Sequence, residues 1–234
     1  MLEALGGPRE RMRSTTAGRL GFNDVEALNL IAIEVEAGPG AKIIPLSSGL
    51  PDEMFEHDGQ ITKREIRAVT LSSLSPRAGD LLWDIGCGSG SIAIEWLLRH
   101  QANRAIGIER DPLRAARAAR NAAELGVPRL EMVTGEALTA LDALPTPDAI
   151  FIGGEGEPAL IDKAFAALKP GGRIVANAVT LDTETAVLAA QRKFGGTLTR
   201  LSVERLDAVG GKQAFRPAMT VTQWSAVKPP VVTP

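Results

Sequence analysis

The composition of this 234-residue chain excludes several classes of protein, since 44% of its residues are hydrophobic and 23% are charged, as in a folded globular protein and unlike a disordered one. A net charge of −2 provides no basic excess for binding nucleic acid. One cysteine and two histidines exclude an intramolecular disulfide and argue against a metal site, so no metal is expected.

The hydropathy pattern argues against a membrane protein. No run of about 18 apolar residues is present to span a bilayer. The first residues, MLEALGGPRERMRS, lack the apolar core of a signal peptide. We therefore expect a cytoplasmic protein with no membrane partner.

The first 45 residues differ from the rest of the chain. A polar, Arg-rich start leads into ALNLIAIEVEAG, whose alternation predicts a strand over residues 27–37. The following AGPGAKIIP indicates a linker. We interpret residues 1–45 as the end of a preceding domain with its linker, and residues 46–228 as the domain that follows.

The segment TKREIRAVTLSSL, residues 62–74, predicts a helix ahead of the sheet. Ile66, Val69, Thr70 and Leu74 recur at helical spacing and would share one face of the helix. Thr62 and Glu65 stand in the arrangement of a capping box, so we expect the helix to begin just after Thr62.

From Asp80 onward, short apolar runs alternate with longer segments of helical period, which is the pattern of a parallel sheet flanked by helices. The last two runs have little room between them for a crossover helix, so we expect a hairpin-like edge and hence a mixed sheet. The fold class is thus α/β, a Rossmann-like seven-stranded mixed sheet with helices on both faces. Strands are predicted near residues 80–85, 104–109, 129–134, 147–152, 171–177, 198–206 and 218–227, and helices near 90–99, 112–125, 158–168 and 182–194.

A glycine-rich turn follows the first strand, in LLWDIGCGSGSIAIEW. Gly86, Gly88 and Gly90 let a ligand approach the backbone, and the helix that follows offers free N–H groups. The dinucleotide fingerprint needs glycines at positions one, three and six, but Ser91 occupies the sixth here. Asp84 lies where a pyrophosphate would otherwise sit. We therefore expect a cationic ligand without phosphate, such as S-adenosylmethionine, with a nicotinamide oxidoreductase as the alternative.

The ends of the next two strands extend this site. Glu109 lies 23 residues after Gly86, at the distance where an acid binds ribose hydroxyls, although a solvated strand end is the alternative. GEA, residues 135–137, ends the third strand where an adenine ring is expected, unless it is a simple turn. We interpret Cys87 as a small packed residue and not a nucleophile, because no histidine is near it in sequence.

These motifs together resemble those of the class I S-adenosylmethionine-dependent methyltransferases, over about residues 80–227. DIGCGSG corresponds to the methionine and sulfonium site, Glu109 to the ribose site, GEA to the adenine site, and LKPGG precedes the fifth strand. The motif after the fourth strand is IGGEGE and not D/N-P-P-Y, and the chain has no tyrosine, which argues against a flipped base as substrate.

A closer resemblance covers residues 48–227. GLPDEMFEHDGQITKREIRA and FIGGEG are similar to segments of the decarboxylating precorrin methyltransferases of cobalamin biosynthesis, and in particular to the C-terminal domain of the bifunctional precorrin-6Y enzymes. The resemblance implies methylation of a precorrin at meso carbon 15 and loss of carbon dioxide from the ring C acetate at carbon 12. It also implies a homo-oligomer, a tetramer.

Residues 1–45 resemble the end of the N-terminal tetrapyrrole methyltransferase domain of those fusions, through LGGPRER and LNLIAIEVE. The rest of that domain, with its own cofactor site, is absent from this chain. Methylation at carbon 5 is therefore not expected here.

The site candidates follow from the resemblance and from the chemistry. Methyl transfer requires positioning more than a base, whereas decarboxylation needs an acid, and a polycarboxylate substrate needs cations. The catalytic candidates are His57, Asp58 and Lys63, although a plain loop histidine is the alternative for His57. Arg114, Arg117 and Arg120 are expected to face solvent. The substrate candidates are Gly154, Lys212 and Arg216, and the cofactor candidates are Thr62, Asp84, Gly86, Cys87, Gly88, Ser89, Gly90, Glu109, Arg110, Gly135, Glu136, Ala137 and Gly153.

Two alternatives to this function stay open. A class I methyltransferase could act on another small molecule, because fold alone does not set function. A module that binds S-adenosylmethionine without turnover is the non-catalytic alternative.

Overall fold

The computed structural model describes residues 1–154 and 156–230. The chain divides into two compact units, Met1–Ala41 and Lys42–Pro234. No helix in the described part of the chain is long and apolar enough to cross a membrane.

The first unit contains a small antiparallel sheet of three strands, β1 (Leu2–Glu3), β2 (Arg11–Met12) and β3 (Asn29–Leu30), with β1 in the centre. The buried Glu3 carboxylate accepts hydrogen bonds from the guanidinium groups of Arg11 and Arg13. The predicted strand over 27–37 is wrong except at β3. Its partner β1 has only two residues, so Ile31, Ile33 and Val35 have no strand to pair with and are exposed.

The second unit is built on a sheet of seven strands: β4 (Leu81–Ile85), β5 (Arg104–Glu109), β6 (Glu131–Thr134), β7 (Ala149–Gly153), β8 (Arg173–Ala178), β9 (Thr197–Leu201) and β12 (Val221–Val227). Their spatial order is β6-β5-β4-β7-β8-β12-β9. β12 is antiparallel to both of its neighbours, β8 and β9, and the other neighbouring pairs of this sheet are parallel. The predicted mixed sheet is confirmed, and the strand order reverses between β4 and β7.

Helices cover both faces of the sheet. On one face, α1 (Arg64–Leu74), α2 (Ser91–Arg99) and α3 (Pro112–Glu124) enclose an apolar cluster that includes Leu82 and Phe151. On the other, α4 (Ala137–Ala140), α5 (Pro158–Ala167) and α6 (Leu181–Phe194) pack on Trp83, Ile85 and Trp224. Successive residues of β4 thus face opposite clusters, as the twofold repeat of a strand requires.

The last part of the sheet differs from the prediction. The two final strands do pair with each other, but β9 ends at Leu201 and β12 begins at Val221. Between them, β10 (Glu204–Val209) and β11 (Lys212–Pro217) form a separate two-stranded hairpin. Gly210 and Gly211 both have positive φ angles, which is the geometry of a tight two-residue turn.

The start of α1 also differs. Lys63 is the N-cap residue, and no side chain caps the helix. The predicted capping box is therefore wrong. The carbonyl of Thr62 instead accepts a hydrogen bond from Arg67, and Glu65 forms an ion pair with Arg205 of the hairpin.

Candidate cofactor and substrate site

The candidate site lies where four parallel strands end. The turns after β4, β5, β6 and β7 share one edge of the sheet, and the reversal of strand order between β4 and β7 opens a crevice there. Ligands of open α/β sheets bind at such a reversal, outside the carboxyl ends of the strands.

The glycine turn after β4 is in direct contact with the turn after β7. Gly86 has a φ of +73°, and a Cβ atom there would lie 2.3 Å from the carbonyl oxygen of Gly153. Gly90 has a φ of +80° at the N-cap of α2, where a Cβ would meet Ala118 at 3.1 Å. Only glycine satisfies both the backbone angle and the contact at Gly86, so the turn is held close to β7.

Asp84 is a buried acid beneath this turn. Its Oδ2 atom accepts a hydrogen bond from the backbone N–H of Ala93 at 3.0 Å, but Oδ1 has no partner among the described residues. Burial raises the pKa of Asp84 to about 7, although the Ala93 N–H and the neighbouring Cys87 thiol act to lower it; the charge of Glu109 adds a smaller rise. A buried carboxylate with an unused acceptor suits a cationic group that donates hydrogen bonds.

Glu109 joins the second strand to the glycine turn. Its Oε2 atom accepts from the N–H of Gly88 at 2.9 Å, and Oε1 accepts from the N–H of Asp111 at 3.0 Å. The backbone carbonyl of Glu109 accepts from the N–H of Gly135 at 3.0 Å, which places the β6 turn beside it. Glu109 therefore has a structural role in the turn in addition to any contact with a sugar.

An open cleft of about 410 Å³ lies on the α5 and α6 side of this edge. It brings together four residues that the sequence nominated, Arg110, Glu136, Ala137 and Gly154. It also contains residues that the sequence did not nominate: Leu138 of α4, and Gly156, Glu157, Thr180, Asp182 and Thr183 around the starts of α5 and α6.

The other side of the edge is covered by residues 49–63, which we call the strap. A buried ion pair anchors it: the fully buried Glu95 carboxylate accepts from the N–H groups of Gly49 and Leu50, at 2.7 and 2.8 Å. Arg67 donates to Glu95 at 2.6 Å and to Asp52 at 3.1 Å. The strap is thus attached at its first residues to α1 and α2.

The strap carries all three catalytic candidates. The Nδ1 atom of His57 accepts from the N–H of Gly59 at 3.0 Å, which leaves Nε2 as the donor of the neutral ring. Asp58 pairs with Arg114 and Arg117, each at 3.0 Å. The hydrogen bond from Arg117, together with one from the Gln60 N–H, lowers the pKa of Asp58 to about 2. Asp58 therefore stays ionised at neutral pH.

Other nominated residues lie in different settings. Lys63 is half-buried with its Nζ atom 4.0 Å from Asp52. Burial raises the pKa of the Cys87 thiol, in keeping with a packed residue. Lys212 and Arg216 lie on β11, exposed and not in a loop; Arg216 pairs with Asp207 at 3.3 Å.

The arginines of α3 are not simply solvent-facing as expected. Arg114 and Arg117 are half-buried and, with Arg120, pair with Glu56 and Asp58 of the strap. The alanine face of α3 suggested a solvated arginine row, but the strap covers that row, and no local pattern in the sequence could indicate this.

Two side-chain amides, the buried Asn121 and the partly buried Asn177, were missed by sequence reasoning. Asn121 of α3 bonds to the strap and to the glycine turn. Asn177, beside Gly153 in the β7–β8 register, donates to Thr70 at 3.0 Å and accepts from Gln223 at 2.9 Å. An isolated asparagine in a helix or strand gives no signal in a single sequence. No group of three or more metal-ligating side chains occurs within residues 1–154 and 156–230.

The seven-stranded mixed sheet with helices on both faces is an α/β fold of the Rossmann-like methyltransferase type. The family model of the precorrin methyltransferase domain matches residues 53–228. The chain therefore belongs to the family of precorrin methyltransferase domains, which confirms the resemblance found in the sequence.

Individual relatives agree with the family. The C-terminal domain of precorrin-6Y C5,15-methyltransferase from Rhodobacter capsulatus is 43% identical, with a TM-score of 0.75 over 79% of this chain and all of that chain. The decarboxylating precorrin-6Y C(5,15)-methyltransferase of a Sinorhizobium species is 55% identical over 97% of this chain and 55% of its own length. A probable cobalt-precorrin-6B C(15)-methyltransferase (decarboxylating) of Saccharolobus solfataricus is 40% identical over 63% of this chain and 77% of its own.

The chain thus spans little more than half the length of the Sinorhizobium relative.

Proposed function

We propose that this chain is an S-adenosylmethionine-dependent methyltransferase that methylates carbon 15 of a precorrin and removes carbon dioxide from its ring C acetate at carbon 12. The observation that carries the cofactor is the unpartnered Oδ1 of Asp84 beneath the glycine turn. The substrate is inferred from the names of the relatives, since the C(5,15) and the C(15) enzymes are both described as decarboxylating methyltransferases of a precorrin or cobalt-precorrin.

The proposed cofactor residues lie around the glycine turn and the ends of β5 and β6. Asp84 and the N–H groups of the turn would hold the amino acid part, Glu109 the ribose, and Gly135 to Ala137 with Arg110 the adenine end. When bound, S-adenosylmethionine supplies an electrophilic methyl group on its sulfonium. The protein has to position the acceptor carbon in line with that group and exclude water.

The proposed substrate site adjoins the β7 turn. Gly153 and Gly154 carry no side chains, so a large flat macrocycle can approach there. Lys63, Lys212 and Arg216 are the proposed partners of substrate carboxylates, with the two hairpin residues exposed and able to meet a large ligand. Thr62 would contact the cofactor from the strap.

Decarboxylation places one demand on the protein. Loss of carbon dioxide leaves an electron pair that the conjugated ring can accept, and a proton must then reach the side-arm carbon to complete a methyl group. We propose His57 as the donor, acting as the imidazolium: it takes a proton from solvent at Nδ1, in place of the hydrogen bond from the Gly59 N–H, and passes the Nε2 proton to the carbon. Asp58, held ionised by Arg117 and Arg114, would orient the strap and not donate.

Two structural proposals accompany the activity. Residues 1–45 are proposed to be the end of a preceding tetrapyrrole methyltransferase domain with its linker, in keeping with the separate unit Met1–Ala41 and with the greater length of the Sinorhizobium relative. A cytoplasmic homo-oligomer is proposed, supported by the exposed Leu206, Val209 and Phe215 of the β10–β11 hairpin. Light scattering after gel filtration tests the assembly.

The activity is tested by mass spectrometry after incubation with S-adenosylmethionine and a precorrin already methylated at carbon 5. We expect a gain of one methyl group and a loss of one carbon dioxide. Asp84→Asn should abolish turnover, whereas Asp148→Asn, at the opposite edge of the sheet, should retain it. Cofactor binding without any change in the precorrin would instead support a non-catalytic module.

A further inference from the structure

Asn121 is a buried amide whose hydrogen bonds all leave its own helix. It lies on α3 and is 1% exposed. Its Oδ1 atom accepts from the N–H of Glu56 at 2.8 Å, and its Nδ2 atom donates to the carbonyls of Glu56 and Ser89, both at 2.9 Å. Both N–H donors and the oxygen of this side chain are thus in use.

These partners belong to two parts of the candidate site. Glu56 precedes His57 in the strap, and Ser89 is in the glycine turn. Ser89 and Asn121 are 32 residues apart in sequence, and Glu56 and Asn121 are 65 apart. One side chain therefore bridges the proposed cofactor turn and the segment that carries the proposed proton donor.

The other attachments of this part of the strap to α3 are weaker. Glu56 and Asp58 pair with Arg114, Arg117 and Arg120 at the surface, where ion pairs are partly exposed and screened by salt. The hydrogen bonds of the Asn121 side chain join uncharged groups and are buried or partly buried, so salt screens them little. Asn121 is therefore the fixed point through which a change in the glycine turn reaches the strap.

We propose that Asn121 is a positioning residue that couples occupancy of the glycine turn to closure of the strap over the site. This inference rests on the proposed function, because it takes S-adenosylmethionine as the ligand of the turn. A ligand that fixes the peptide units of the turn fixes the carbonyl of Ser89, and through Asn121 it fixes both backbone groups of Glu56. Thermodynamic linkage requires the reverse as well, so an ordered strap raises cofactor affinity.

A matched control separates coupling from plain stability. Asn103 is also 1% exposed, and its amide also joins two segments, accepting from the N–H of Gly79 at 3.0 Å and donating to the carbonyl of Trp96 at 3.2 Å. It precedes β5, at the opposite edge of the sheet from the glycine turn. Asn103→Ala should destabilise the fold as Asn121→Ala does, without touching the bridge.

The test is amide hydrogen exchange of the full chain with and without saturating S-adenosylmethionine, beside a binding titration. In the wild type and in Asn103→Ala, we expect the cofactor to slow exchange in the glycine turn, residues 86–90, and in strap residues 56–60. In Asn121→Ala the turn should still be protected, the strap should lose its protection, and Kd should rise about tenfold, the scale of one good hydrogen bond.

Asn121→Asp is the second variant in case the alanine change unfolds the chain. It keeps an acceptor for the N–H of Glu56 but loses both donors, so strap protection should again be lost. Equal strap protection in the wild type and in the Asn121 variants, with the turn protected, would overturn the coupling alone. No protection of residues 86–90 in the wild type would overturn the proposed cofactor, and the coupling with it.

Discussion

Replacing Asp84 by asparagine should remove most of the pH dependence of stability between pH 5 and pH 8. Burial raises the pKa of this carboxyl from its ordinary 3.8 to about 7 in the folded chain. Below the ordinary value both states are protonated and the group contributes nothing. As the pH rises from there to about 7, the unfolded chain loses its proton while the folded chain keeps it, so the folded state loses stability.

The size of the effect follows from the shift. The rise in the pKa of Asp84 lowers the free energy of unfolding by about 4 kcal/mol above pH 7. About 3 kcal/mol of this loss falls between pH 5 and pH 8. Asparagine carries no charge, so its contribution to stability does not change over this interval. Relative to the wild type, the free energy of unfolding of the variant should therefore rise by that amount between pH 5 and pH 8, whatever the amide costs at pH 5.

The assay is urea unfolding at pH 5, 6, 7 and 8 without cofactor, monitored by tryptophan fluorescence. The three tryptophans, Trp83, Trp96 and Trp224, are all buried in the second unit, so the signal reports the unit that contains Asp84. Parallel pH profiles for the wild type and Asp84→Asn would refute the reasoning, because they would mean that the carboxyl is already ionised at pH 5.

Asp148→Asn is the control for this experiment. Burial opposes ionisation of Asp148, but the pKa is nevertheless lowered by hydrogen bonds from Lys169, at 2.7 Å, and from the N–H of Leu81, at 2.9 Å. A lowered pKa contributes stability that is already complete above the ordinary value of the unfolded chain. The variant should therefore be less stable by the same amount at pH 5 and at pH 8.

Three further substitutions test the site and its supports. Gly86→Ala should cost more than about 2 kcal/mol in urea unfolding, because the left-handed angle and the contact with Gly153 add. Gly88→Ala, whose Cβ would make only an ordinary contact at 3.9 Å with the carbonyl oxygen of Gly86, should cost about 1 kcal/mol. Equal losses would mean that the contact is not the reason. In Glu109→Gln, one of the two N–H groups that Glu109 now accepts from, those of Gly88 and Asp111, would face an amide nitrogen. The Kd for S-adenosylmethionine should rise about tenfold in calorimetry. Unchanged affinity would count against the ribose assignment. Glu95→Gln should cost about 3 kcal/mol, because the buried Arg67 loses its fully buried partner and keeps only the ion pair with the partly buried Asp52. A loss below about 1 kcal/mol in thermal unfolding would contradict this.

The sheet was predictable because its elements are specified by neighbouring residues. The helix predicted over 112–125 forms as Pro112–Glu124, with Asp111 as N-cap accepting from the N–H of Leu113 and a proline in the first turn. Its amphipathic pattern, its cap and its proline all lie within the helix or one residue before it. The same locality made the glycine turn and Glu109 recognisable.

The elements that were wrong depend on distant partners. The alternation over 27–37 is typical of a strand, but a strand needs a neighbour of similar length, and β1 offers two residues. In α1 the capping pattern was present, yet the guanidinium of Arg67 binds the carbonyl of Thr62 and the helix begins beyond the box. The length of β1 lies outside the local segment. Arg67 lies inside it, five residues after Thr62, but its side chain is also held by Glu95, 28 residues away.

The same limit applies to the site. Glu95 and Arg67 are 28 residues apart, and Glu95 reads as one acid in an apolar helix. Only the folded chain shows that it receives two backbone N–H groups of the strap. The covering of the site is thus specified by buried polar pairs between distant segments, whereas its ligand-facing turns are specified by adjacent residues.

Asp84 and Glu109 place two carboxylates under one turn. Backbone N–H groups donate to both, Ala93 to Asp84 and Gly88 with Asp111 to Glu109. Asp84 lowers the stability of the free domain at neutral pH, since a charge buried without a partner is costly. In the proposed function, a ligand with an ammonium group would supply a partner for Asp84, whereas a phosphate would add a further negative charge at the turn. On that proposal, the acid whose burial costs stability also favours a cationic ligand.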